Sequence, residues 1–235
     1  MTSPATSVAV HPSASEPGEG IWFATPAGFL PLPVAALALP PDSTGMDPLE
    51  EALAPILLSA PDEASRQRFI GTLAFVRRMF RSVHSEGTVH CSLGLHRDDT
   101  GGGDGSALAS LFAITWLDTA WAPRGVTAAR AVVSVQGHSH IAYAEVPCGP
   151  ATFSETVRVP TAESGLPQNS LLQVFAHLPH PDGTSLALLT LSTTAVARRE
   201  QYRAMLRRIA HTVTFEDPFA SGVDPGRSGG EGKRP

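Results

Sequence analysis

LLQVFAHLPHPDGTSLALLTLSTTAVARREQYRAMLRRIAHTVTF, running from Leu171 to Phe215, decides the fold. Leu172, Val174, Ala176 and Leu178 alternate with Leu171, Gln173, Phe175 and His177, the period of a strand. Pro181-Asp182-Gly183 supplies a tight turn. Leu186 to Leu191 is apolar at nearly every position, which predicts a strand inside a sheet covered on both faces. After Thr194 the period changes to that of a helix, with Tyr202, Met205, Leu206, Ile209 and Val213 on one stripe able to cover one of those faces.

Upstream, the same reading gives further strands and helices. Asp47-Pro48-Leu49-Glu50 reads as a helix start. A longer helix begins near Pro61, its stripe made of Phe69, Ile70, Leu73, Val76, Phe80 and Val83. Thr88 to His96 alternates, and Leu108 to Leu117 forms its hairpin partner across the loop DDTGGGDGS. The stretch from Pro123 to Val135 reads as a short helix packing on Val126, Ala129, Val132 and Val133. His140 to Val146 and Phe153 to Val159 are expected as strands, with a break at Cys148-Gly149-Pro150. Ala24 to Pro33, crowded with prolines, suits an edge strand or a strap. The sum is an α+β domain: a mostly antiparallel sheet of five to six strands flanked by helices.

Glycine and proline, at 21 residues each, are concentrated unevenly along a chain of 235. Residues 1–20 and 218–235 are rich in small and polar residues, and are expected as disordered tails around a single domain spanning 21–217. The net charge of −5 lacks the basic surplus of a nucleic-acid-binding surface. No apolar run approaches the ~18–20 residues that span a bilayer. The start of the chain shows no basic and apolar leader pattern, and two cysteines make no disulfide scaffold, so a cytoplasmic location is expected.

The closing pattern, L-A-L-L-T-L-S-T-T followed by a helix ending I-A-H-T-V-T-F, resembles the end of PsbP-like α/β/α sandwich proteins. Together with the opening W-F-A-T-P-A-G-F-L-P-L-P, it is also similar to uncharacterised actinobacterial proteins, some of them associated with type VII secretion loci. The resemblance covers the last fifty or so residues well and the opening loosely. It implies the sandwich fold and an accessory role near such a secretion system, and it carries no catalytic motif.

Chemistry-bearing patterns are sparse. The nine histidines include His138 and His140, which would share a strand face, but no H-E-x-x-H or C-x-x-C accompanies them. The loop around Gly101 to Gly105 lacks a lysine and carries Asp98, Asp99 and Asp104, which repel phosphate. A calcium loop there would lack its closing glutamate. No G-x-S-x-G elbow is present. Cys91 sits among apolar residues and is expected to be an inert buried thiol.

No cofactor and no metal site is therefore expected, and the chain reads as a non-enzymatic domain that binds another protein. The alternative is a metal-binding protein or enzyme using His138, His140 and Cys148. Two features carry the binding reading. Arg199, Arg203 and Arg207 step by four along the final helix, opposite its apolar stripe, and could meet an acidic partner. Trp116 and Trp121, at a strand end and a loop, could anchor one.

Overall fold

A computed structural model describes residues 20–38, 47–59, 62–83, 87–98, 103, 107–133, 137–160 and 169–218. Apart from Gly20 and Pro218, the two expected tails lie outside the described residues, as does the glycine loop except for Asp98 and Gly103. The elements are β1 (Phe29–Pro31), α1 (Val34–Ala38), α2 (Asp47–Ser59), α3 (Glu63–Val83), β2 (Thr88–Arg97), β3 (Ala107–Asp118) and α4 (Arg124–Val133). They continue with β4 (Ser139–Val146), β5 (Gly149–Arg158), β6 (Leu171–Pro179), β7 (Ser185–Thr193) and α5 (Arg199–Ala210).

The strands form one antiparallel sheet in the order β1-β2-β3-β7-β6-β5-β4. It has seven strands where the sequence predicts five to six. The difference comes from the prolines of the opening segment: they leave room for three residues of pairing, Phe29 to Pro31 against Gly94 to Ser92, which is possible at an edge. The apolar Leu186–Leu191 run lies in β7, the central strand of the seven.

Helices cover both faces. On one, Tyr202, Leu206 and Ile209 of α5, with Val213 just beyond its end, are buried against Leu172, Val174 and Ala176 of β6 and Leu189 and Leu191 of β7. Each such side chain removed from water contributes about 1.5–3 kcal/mol, so this stripe is the main attachment of the closing helix. Its far end is tied to the segment around Trp22 and Ala24. Trp22 and Thr214 exchange two backbone hydrogen bonds of 2.9 Å, and Thr212 Oγ1 accepts from the Ala24 amide. Thr193 marks the exit from β7: its hydroxyl donates to the Ala109 carbonyl and accepts from the Ala195 amide, before a short 3-10 turn leads into α5.

On the other face, α1, α2 and α3 pack around Cys91, Leu93 and Leu111, with Phe80 fully buried. Ile70, expected on the buried stripe of α3, is 42% exposed. α4 is the crossover that carries the chain from β3 to the opposite edge at β4, and it packs on β5 and β6. Its buried residues are Thr127, Ala128 and Val132; Val126 and Val133 face outward, so the helix is rotated from the face read in the sequence. The rotation brings an amphipathic Thr127 inward because the sheet beneath α4 is itself polar, as described below. No helix among the described residues is long and apolar enough to cross a membrane.

Candidate functional site

Two places on the sheet combine chemistry with access, one on each face. The first lies between α5 and the edge strand β4. A cleft of 380 Å³ is lined by His140, Ile141 and Ala142 from β4 and by Glu200, Arg203, Ala204 and Arg207 from α5. The arginine row does not present three equivalent cations there. Arg203 grips Glu155 of β5 through two hydrogen bonds, Nε to Oε2 at 2.7 Å and Nη2 to Oε1 at 2.6 Å, and also pairs with Glu200. Arg199 lies 3.8 Å from the same carboxylate with its side chain 41% exposed. Arg207 is exposed, its guanidinium 5.3 Å from the Phe153 ring centre.

Glu155 is buried on the face that β5 turns toward α5. Burial by itself raises its pKa, but the Arg203 hydrogen bonds and charge, with His140 and Arg199, outweigh that and hold it below the usual carboxylate range. The site keeps a charge in a dry place by surrounding it with cations.

The second place is on the opposite face. α4 covers β5 and β6, while α1 to α3 cover β2 and β3, and the sheet between the two helical blocks stays open. A cavity of about 490 Å³ occupies that gap, floored by Phe175, Leu186 and Leu188 and walled by Thr127 and Ala131 of α4. Its polar side chains come from positions that alternate with the α5-facing core. Gln173 donates to Ser192 Oγ at 3.3 Å, and His177 Nδ1 donates to the Thr152 carbonyl at 3.2 Å. His138 shares a 2.7 Å hydrogen bond with Ser154 Oγ and stacks on Phe175 at 4.8 Å between ring centres. Burial lowers both imidazoles: His177 to about 4, helped by the nearby His138, and His138 further through the charge of Arg158. Both rings are neutral at pH 7 and act as hydrogen-bonding groups.

The two tryptophans serve different surroundings. Trp116 is half-buried on the α5 face, edge-on to His180 and 5.9 Å from Phe215 between ring centres. Trp121 is 74% exposed, and its indole lies against Gly183 in the β6–β7 turn, beside the cavity rim at Ala120 and Ala122.

His138, His140 and Cys148 do not converge. The pairing of β4 with β5 slips between Ser139 and Ala142, and His140 takes a φ of 48°. That bulge turns His138 toward Ser154 on the cavity face and His140 toward Glu155 on the α5 face, 3.7 Å from its carboxylate. Regular strand alternation, which would have put the two on one face, is broken at that point. Cys148 sits in the β4–β5 turn, where burial raises its pKa more than Arg124 lowers it, so the thiol is not activated. Cys91 is fully buried with its pKa pushed well above the ordinary range by burial. Among the described residues no group of three His, Cys, Asp or Glu side chains could hold a metal ion.

Glu155, Gln173 and Thr127 were not singled out by sequence, and His177 only as one of the histidines that could join His138 and His140. The signal for three of them is present: Gln173 and His177 are polar positions in a strand otherwise made of apolar residues, and Glu155 follows Phe153 at strand spacing. A polar group at an apolar position asks for a partner or a cavity. No family model matches the chain, and no curated protein and no solved structure does either.

Proposed function

We propose that the chain is a non-enzymatic, protein-binding domain that takes an extended acidic segment of its partner along the free edge of β4, beside the arginines of α5. The observation that supports this is the cleft itself. β4 ends the sheet, so its outer backbone donors and acceptors have no strand partner among the described residues; exposed Arg207 lines the cleft beside that edge, and Arg199, its side chain 41% exposed, lies close to Glu155 on the neighbouring strand β5. Strand addition draws affinity from backbone hydrogen bonds and specificity from the side chains beside them. Exposed Ile141 and Tyr143 on β4 offer apolar contacts to the same segment.

The experiment is a fluorescence-anisotropy titration of the full chain with two labelled decapeptides, one alternating Glu and Val, the other Lys and Val. The acidic peptide binds at least about tenfold more tightly and weakens as salt rises. Changing Arg199→Gln and Arg207→Glu together removes that preference while the thermal transition is kept. Equal binding of the two peptides, or an acidic preference that survives the double change, overturns the reading. Arg203 is left intact because it holds Glu155.

The sequence resemblance adds two parts to this reading: the sheet and its two helical layers are taken as a PsbP-like α/β/α sandwich, and the partner is expected among components of a type VII secretion system. Crosslinking in the native cell, with the crosslinker placed at Tyr143, checks the second part. Recovery of a component of that system by the wild-type chain and not by the double-arginine variant is the expected result.

A further inference from the structure

The cavity under α4 lies on the face of the sheet opposite the β4–α5 cleft, and nothing in the binding of an extended peptide uses it. We infer that it is a binding site for a small amphipathic monocarboxylate, with the carboxylate held at Arg130 and Arg158 and the apolar body laid over Phe175, Leu186 and Leu188.

The placement of polar and apolar groups carries this. Arg158 ends β5 and pairs in register with Leu171, so it marks the end of the cavity nearest the start of β6. Gln173, two residue pairs further in, lines the same end. Arg130 lies one turn beyond Thr127 on α4 and lines the cavity with it and Ala131. The opposite end is built from Leu117, Leu186, Ala120 and Ala122, with Asp118 on the rim. Along β6 and β7 the cavity therefore runs from a cationic end to an apolar one. Among the described lining residues, two guanidinium groups against the single carboxylate of Asp118 leave one positive charge, which suits a monoanion rather than a phosphate dianion.

A second observation is independent of the charges. Thr127 is 5% exposed, lines the cavity, and its hydroxyl has no hydrogen-bond partner among the described residues. A buried hydroxyl without a partner costs about 1–3 kcal/mol, and a bound polar group or water recovers it. A volume of about 490 Å³, apolar over most of its wall with a few polar points, is that of a small-molecule site. Neutral His138 and His177 complete the polar rim without adding charge to the floor.

The test is isothermal titration of the full chain with sodium octanoate, octan-1-ol and octylamine, three probes with one tail and different heads. Octanoate binds saturably with one site, and the other two bind at least about tenfold more weakly, a difference near 1.4 kcal/mol. Changing Arg130→Glu and Arg158→Glu, both at exposed positions, inverts the order so that octylamine binds best. Changing both to Gln levels the three, and retention of the thermal transition shows that each variant is folded. No saturable binding by octanoate, equal binding of all three probes, or an unchanged order in the reversed-charge variant overturns the inference. None of these outcomes depends on the β4 edge, so the two sites are judged separately.

Discussion

Arg203 of α5 and Glu155 of β5, 48 residues apart, meet in a two-pronged ion pair with the carboxylate side chain 1% exposed and the guanidinium 17% exposed. The pair pins the closing helix to a strand near the far edge of the sheet, beyond the apolar stripe that fixes it to β6 and β7. It also orients the helix so that Arg207 lines the cleft beside the β4 edge.

The two halves of this pair are not equivalent on mutation. Arg203→Ala leaves a buried carboxylate without its main counter-charge and is expected to destabilise the fold by about 3–5 kcal/mol. Glu155→Gln together with Arg203→Met removes both charges and is expected to recover most of that loss. Chemical denaturation of the wild type, of Arg203→Met and Glu155→Gln singly and of the double variant measures this; additive losses in the double variant would show that the pair is not coupled.

His177 gives a pH dependence with a definite sign. Its folded pKa, about 4, lies below the ordinary value near 6.5, so between these values the unfolded chain binds the extra proton. Stability is full above about pH 6.5, falls as pH drops toward 4, and the loss levels off below that. The full loss is on the order of 3 kcal/mol. His138, shifted the same way, adds to it, while the Glu155 contribution fades below the ordinary carboxylate range, at the acid end of this window. Melting temperatures of wild type and His177→Gln between pH 7 and 4 separate the terms. The variant is expected to lose markedly less over that range, and parallel curves would remove His177 from the account.

Gly149 opens β5 at a φ of 122°, and a Cβ there would lie 2.5 Å from Arg124 Nη1. The Arg124 guanidinium fills that space to donate to the Pro179 carbonyl, at 3.0 Å from Nε and 2.7 Å from Nη2, and to the Cys148 carbonyl. It thereby ties the start of α4 to the β4–β5 turn and the end of β6. Gly149→Ala combines backbone strain of about 1–3 kcal/mol with displacement of that arginine. A fall in melting temperature of at least ~4 °C is expected, alongside weaker octanoate binding as α4 loosens over the cavity. A variant as stable as wild type would show that Arg124 can move aside without cost.

The sequence by itself determined the elements that rest on short-range periodicity. The strand–turn–strand–helix from Leu171 onward reads correctly because alternation and helical spacing are written in consecutive residues, and one turn at Pro181-Asp182-Gly183 joins them. The buried face of α5 followed from the same local rule. The tertiary structure decided what depends on which strand lies beside which. β1 exists as a strand because a sheet edge is there to receive three residues. Glu155 becomes a partner for Arg203 because β5 and α5 pack together, and the spacing of the arginines gives no hint of a carboxylate 48 residues away. His138 and His140, two apart, end on opposite faces because one irregular pairing in β4 reverses the alternation between them. The cavity belongs to no segment. It exists because α4 crosses from one side of the sheet to the other and stops short of the helices packed on β2 and β3. A gap between two packed blocks is a property of their distance, which no stretch of residues encodes alone.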